Sequence, residues 1–346
     1  MRVLICPDKF AGTLSAVEVA AAVAAGWAEN APADKIEQRP LADGGPGFLD
    51  VVQAAVGGTR IAVPAVDPLG RPVTAELLRV GGTGYLECAQ TCGLHLLAPE
   101  ERDPRITTSY GLGMTIAAAV ETGVTEIVVG LGGSGTNDAG AGLLAALDAA
   151  PLDAAGYALP YGGAALLQCT ALGGVPRLRG VRLVAATDVT APLTGIYGAS
   201  AVFGPQKGAD QADVLLLDSA LGHFAGVLET LPDCPPGVAD MPGAGAAGGL
   251  GAALLALGGT VVSGIGLVRE LTALDAAIAE ADIVITGEGS FDDQSLTGKV
   301  VAGVAGAARD LGLPCLVVCG RSTAGRREAK AAGVTEVYTL VEHFGS

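Results

Sequence analysis

Short apolar runs recur along the chain, and most are followed at once by a polar, glycine-bearing turn and then by a segment of helical periodicity. Met1–Cys6 leads into Asp8-Lys9, and Leu41-Ala42 into Asp43-Gly44-Gly45. Glu126–Leu131 leads into Gly132-Gly133-Ser134-Gly135-Thr136, and Val181–Ala186 into Thr187-Asp188. Ile283–Thr286 leads into Gly287-Glu288-Gly289, and Cys315–Cys319 and Glu336–Leu340 complete the series. Runs this short, separated by helical sequence, predict parallel strands joined by crossover helices, which constrains the chain to an α/β fold with polar loops at the carboxyl ends of its strands. Ser15 followed by Glu18 predicts a capped helix over residues 16–28.

Residues 59–90 break the pattern. They alternate as short strands with turns at Asp67-Pro68-Leu69-Gly70 and Gly81-Gly82, the signature of antiparallel pairing. With 346 residues available, we expect two α/β domains. One is a doubly wound, Rossmann/flavodoxin-like domain made of residues 1–60 and 266–346. The other is an inserted mixed α/β domain over residues 61–265. Helices are expected over 112–122, 137–149 and 210–230.

Charge excludes some functions. The chain carries 20 basic and 36 acidic residues, a net charge of -16, which is the wrong sign for nucleic-acid binding. Any phosphate site must then be built locally from backbone N–H groups, chosen cations and a metal ion. Seven cysteines without a CxxC pair, and three scattered histidines, give neither a zinc site nor a Ser–His–Asp triad. They read as buried free thiols in a reducing cytoplasm. The uncharged stretch 241–268 owes its hydropathy largely to Gly and Ala, so we expect it to be buried protein rather than a membrane span. Gly243 to Gly248 spells GxGxxG, but no strand precedes it, so a dinucleotide is not expected there. Gly298-Lys299 lacks the following Ser/Thr of a P-loop.

Loops that follow strands hold the chemistry-bearing residues. Gly132, Gly133, Ser134, Gly135 and Thr136 can turn backbone N–H groups toward an anion. Gly287, Glu288 and Gly289 emerge from a strand and continue through Asp292 to Lys299, a set suited to Mg2+ or ribose hydroxyls on the acids and to phosphate on the lysine. Asp188 ends a strand, and Lys207 sits among glycines. Asp8, Lys9, Asp43, Arg105, Thr107 and Thr108 add polar groups on other loops.

Together these segments resemble the type I glycerate kinase family. The matching stretches are Pro7–Ser15, Ala42–Gly45, Asp67–Arg71, Thr107–Gly111, Gly132–Gly142, Phe203–Gly208, Pro242–Gly251 and Gly287–Lys299, in family order over nearly the whole chain. The chain departs from the family pattern at Ala11, Pro46 and Ser290. The resemblance implies ATP-dependent phosphorylation of D-glycerate with Mg2+, at the 2-hydroxyl. It implies an active site in the cleft between the two domains, and we expect Gly132–Thr136 and Gly287–Gly289 to cradle the nucleotide, with Lys207 or Lys299 on a transferring oxygen. Asp188 would hold Mg2+ or accept the hydroxyl proton, and Asp292 is a second candidate ligand. Arg71 and Arg105 would grip the glycerate carboxylate, with Asp8, Lys9, Asp43, Thr107 and Thr108 as further substrate contacts. A cytoplasmic monomer or homodimer is expected, bound to no membrane. The alternatives are a kinase of another small hydroxy acid and a catalytically idle sensor of glycerate or nucleotide.

Overall fold

Ser15 and Glu18 do form a capping box: the Glu18 carboxylate accepts from Ser15 N at 2.8 Å, and Ser15 Oγ accepts from Glu18 N at 3.2 Å. This closes the first turn of the helix Ala16–Asn30. The computed structural model describes residues 1–292, 295–296 and 300–345. These fall into two units, one comprising residues 1–43, 47–57 and 264–346 and the other residues 44–46 and 58–263.

The smaller unit is built on a five-stranded sheet in the order Glu336–Thr339, Cys315–Ser322, Ile283–Phe291, Arg2–Ile5 and Lys35–Gln38. All neighbours run parallel, so their carboxyl ends share one edge, the edge at which an open α/β sheet offers its loops. Val3, Ile5 and Ile285 pack against Ala20 and Ala24 of the first helix. Small residues on that helix let it lie close to the sheet, and each fully buried aliphatic side chain contributes about 1.5–3 kcal/mol. The strand expected to end at Thr286 continues to Phe291.

The larger unit contains a six-stranded mixed sheet ordered Thr260–Val262, Arg182–Ala186, Glu126–Gly130, Thr83–Glu87, Pro72–Val80 and Thr59–Val66. The first four strands are parallel, and the last two join antiparallel. The break in pattern at residues 59–90 is therefore a change of strand direction within one sheet. Helix Tyr110–Glu121 and helix Gln211–Leu228, the latter begun by an Asp210/Asp213 capping box, belong to this unit. Leu112, Ile116, Leu143, Leu221, Phe224 and Leu250 are among its fully buried core residues.

The helix expected over 137–149 is short, covering only Ala141–Ala146. Ala139 and Gly140 take positive φ values of 48° and 73°, which no helix accepts. Within the uncharged stretch 241–268, Ala247, Gly248 and Gly249 take positive φ ahead of buried helical turns that run to Ala256, and the strand Thr260–Val262 and the start of the helix Gly264–Leu271 follow. No helix among the described residues is long and apolar enough to cross a membrane. All seven cysteines are free thiols.

Candidate active site

In the larger unit, parallel register brings the ends of three strands to one level. Gly130 pairs with Ala186, and Ala186 with Val262, so the segments starting at Leu131, Thr187 and Ser263 leave the sheet side by side. The first of these carries the expected anion loop. Gly132 is half-buried and Gly133 exposed, whereas Ser134, Gly135 and Thr136 turn inward and are buried. Gly135 N donates to Cys92 O at 2.7 Å, and Leu94 N donates to Gly133 O at 2.8 Å. The Gly135 N–H is thus committed to the protein, which removes it from an anion cradle and leaves Gly132 and Gly133 as the outward-facing part. Glycine is required at 132 because a Cβ there would lie 2.5 Å from the Cα of Gly45.

Gly44 is under the same constraint. Its φ is +89°, and a Cβ would lie 2.7 Å from Ala186 O. Gly44→Ala should therefore lower unfolding stability by about 2–3 kcal/mol, a left-handed alanine pressed on a carbonyl being strained on both counts. Urea denaturation checks this, and an unchanged midpoint would show that the turn relaxes freely.

Beneath the loop lies Lys207, only 1% exposed. Its Nζ donates to Thr136 O at 2.7 Å and to Ser134 Oγ at 3.0 Å. Burial lowers its pKa to about 8, against the opposing pull of Cys88, Asp138 and Cys92. Expected on a transferring oxygen, Lys207 instead holds the loop from below, placing a cation behind it. Asp138 is fully buried and accepts from Ser109 N and Oγ at 2.9 Å each, and from Gly140 N and Gly142 N at 3.1 Å each. Burial raises its pKa, and these donors oppose the rise. The oxygens Thr136 Oγ1 and Asn137 Oδ1 are buried without a hydrogen-bond partner among the described residues.

Thr107 and Thr108, expected as substrate contacts, are both buried. Thr107 Oγ1 donates to Gly135 O at 3.0 Å, and Thr108 Oγ1 accepts from Tyr110 N at 3.2 Å. Thr107 braces the loop, and Thr108 caps the turn that starts the helix Tyr110–Glu121, so both hydroxyls are used inside the protein. The glycine-rich segment that resembled a dinucleotide fingerprint packs here too. Gly248 O accepts from Ala139 N at 3.0 Å, and a side chain at 248 would collide with Thr136 O.

Asp188 stands exposed at the end of its strand and accepts from Ser263 Oγ at 2.6 Å. Ser263 was not legible as a site residue, since only the pairing of two distant strands puts it there. Arg71 and Arg105 are differently placed from expectation. Arg71 donates through Nε to Asp67 at 2.5 Å, through Nη1 to Glu101 at 2.7 Å and through Nη2 to Leu96 O at 3.0 Å. Arg105 makes a two-pronged pair with Asp103, both bonds 2.8 Å, and reaches Asp213 at 3.2 Å. Nearby acids therefore already occupy both guanidinium forks, and a substrate carboxylate would have to compete for them.

In the smaller unit, Asp8 follows the strand Arg2–Ile5, with its N–H on Gly287 O at 2.8 Å. Lys9 Nζ lies 3.4 Å from Asp8 Oδ1 and 3.8 Å from Asp43 Oδ1. Burial pushes the Asp8 carboxyl above its ordinary range, Lys9 opposes this, and Asp43 adds a smaller push. Gly287, Glu288 and Gly289, expected as a nucleotide loop, are strand residues. Gly287 pairs with Val318 and Glu288 with Cys319, and a Cβ at 287 would collide with Val318 O. Here glycine permits close strand approach instead of freeing N–H groups for phosphate. Asp292 Oδ1 accepts from Ser295 N at 3.2 Å and Ser295 Oγ at 3.3 Å. Lys299 lies outside the described residues.

A divalent cation was expected at Asp188 and Asp292. Among the described residues no cluster of three or more His, Cys, Asp or Glu could hold a metal ion. Mg2+ does not demand such a cluster. It is commonly held by one or two carboxylates together with waters and substrate phosphates, and the exposed oxygens of Asp188 fit that donor set.

The sequence matches the Glycerate kinase family over residues 3–346. Glycerate 2-kinase of Escherichia coli (strain K12) is 41% identical, over 100% of this chain and 92% of its own length. Glycerate kinase of Bacillus subtilis (strain 168) is 40% identical, over 99% of this chain and 90% of its own. Among solved structures, a protein described as glycerate kinase 2 from Salmonella typhimurium LT2 superposes with a TM-score of 0.83 at 39% identity, covering 98% of this chain and 90% of the other.

Proposed function

The chain belongs to the glycerate kinase family and is by that membership a kinase, and we propose that it transfers the γ-phosphoryl group of ATP to the 2-hydroxyl of D-glycerate with Mg2+. The observation that carries this reading is the loop Gly132–Thr136 drawn over the buried cation of Lys207, an anion-directed device in a chain that is otherwise strongly acidic. The name of the E. coli relative supports the 2-hydroxyl.

Phosphoryl transfer needs positioning and charge neutralisation more than covalent participation by the protein. Gly132 and Gly133 present backbone to the phosphates, and Lys207 supplies positive potential from behind them. Asp188 accepts the proton of the attacking hydroxyl as its oxygen bonds to the γ-phosphorus and ADP departs. Ser263 fixes the orientation of that carboxylate. Asp188 would also hold Mg2+, with Asp292 as a second candidate ligand, and the ion when bound supplies charge neutralisation on the phosphate oxygens. Asp8, Lys9 and Asp43 are proposed substrate contacts, Lys9 being the cation offered to the glycerate carboxylate. Arg71 and Arg105 serve chiefly as struts for their loops.

The test is to incubate the protein with Mg2+, ATP and D-glycerate, follow ADP release, and identify the product by phosphorus NMR. ADP release that depends on D-glycerate, with 2-phosphoglycerate as product, is expected. The 3-phosphate would overturn the choice of hydroxyl, and turnover only with another hydroxy acid would replace the substrate.

A further inference from the structure

Beside the braced loop, the larger unit holds a pocket of about 250 Å3 to which none of the foregoing roles has been given. Its floor is Ala141 and Gly142, the first residues of the helix that follows the loop, with Ala145 one turn on. Its wall is the segment Pro160 to Gly162, and Tyr110 and Tyr161 stand at its side. Their ring centroids are 5.3 Å apart and inclined at 51°.

Three features narrow what could enter. Among the described residues no charged side chain lines the pocket, so these cannot neutralise a phosphate or a carboxylate, and an ionised group there would go uncompensated. The lining is otherwise small and apolar, with aromatic faces and two phenolic hydroxyls, the composition that receives a flat, neutral, heteroatom-bearing ring. An apolar cavity of roughly 150 Å3 accepts benzene, so about 250 Å3 accommodates a fused bicyclic ring. Tyr161 is 51% exposed, so the folding of the unit does not account for keeping this aromatic at the rim.

Position adds a further constraint. Gly142 N donates to the same Asp138 carboxylate that Ser109 braces, and a side chain at Gly163 would meet Asn137 O. The pocket is thus continuous with the far end of the loop whose near end, Gly132-Gly133, is offered to phosphates. We infer that the pocket framed by Tyr110 and Tyr161 receives the purine base of the nucleotide. This rests on the ATP-dependent reading above and goes beyond it by locating the base.

The test compares ATP with inorganic tripolyphosphate, which carries the phosphates and lacks the base. Binding of each is measured by calorimetry in the presence of Mg2+, for the wild-type protein, Tyr161→Ala and Ala145→Phe, the last filling the pocket. Thermal melting of each variant verifies its fold, and the half-exposed Tyr161 can be truncated without opening the core. The Kd for ATP should rise roughly tenfold in both variants, with tripolyphosphate binding unchanged. Adenosine alone should compete with ATP in the wild-type protein and lose that competition in the variants. Equal weakening of ATP and tripolyphosphate, or unaltered ATP binding in both variants, would overturn the pocket while the kinase reading stands. A wild-type protein that turns over glycerate with ATP yet ignores adenosine would do the same. A wild-type protein that binds no ATP would sink the kinase reading and the pocket with it.

Discussion

Asp188→Asn should lower kcat by about two orders of magnitude or more, the scale set by losing a positioned proton acceptor, without lowering the melting temperature. The amide keeps the size of the side chain and can still accept from Ser263 Oγ, which sits 2.6 Å from Asp188 Oδ1 in the wild-type protein. It loses the negative charge that the proposed role as proton acceptor or Mg2+ ligand requires. Because Asp188 is exposed, exchange of its charge should cost little stability. The two roles separate by titration. If Asp188 holds the metal, Mg2+ needed for half-maximal rate rises in the variant; if it acts as base alone, that value stays and only the rate falls. Ser263→Ala should produce a milder loss, because it releases the orientation of the carboxylate and leaves the charge. Normal turnover by Asp188→Asn would refute the assignment.

Lys207→Met should lower kcat/KM for ATP by about 100-fold, the loss typical of removing a preorganised electrostatic group, while the melting temperature at pH 7 barely moves. Burial holds the Lys207 pKa at about 8 rather than its ordinary 10.5, which corresponds to about 3 kcal/mol against the charged form. Methionine escapes that cost, which offsets the loss of the charge-assisted bonds to Ser134 Oγ and Thr136 O, together worth about 3 kcal/mol at the lower end of their range.

The sign of the pH dependence follows. Below pH 8 the lysine is charged in both folded and unfolded states, so its full penalty to stability is present. From about pH 8 to 10.5 the unfolded state binds the proton that the folded state has lost, and stability rises with pH through that window. On the proposed reading phosphate binding should run the other way, since the cation behind the loop is lost as pH rises through about 8. KM for ATP should therefore climb above pH 8 in the wild-type enzyme, and this step should be absent in Lys207→Met. A wild-type KM flat from pH 7 to about 9.5 would show that Lys207 braces the loop without acting on charge.

Local sequence determined the α/β class, the Ser15/Glu18 helix start, the antiparallel character of residues 59–90 and the polar segments after Ile5, Gly130 and Ala186. These depend on periodicities and caps that span only a few residues, so they are legible without the rest of the chain. Tertiary structure decided the rest, because long-range register is not written locally. Gly287 to Gly289 looked like a loop and became strand once Cys315–Ser322 lay alongside. Thr107, Thr108 and Lys207 looked available to ligands and were drawn inside, Thr107 and Lys207 as donors to loop oxygens and Thr108 as acceptor of a backbone N–H. Arg71 and Arg105 found acids on neighbouring turns. Ser263, unremarkable in sequence, reached Asp188 through the pairing of two strands 75 residues apart at the contact. Which polar groups a loop carries is a local property; which of them remain to meet a substrate depends on partners that only the folded chain supplies.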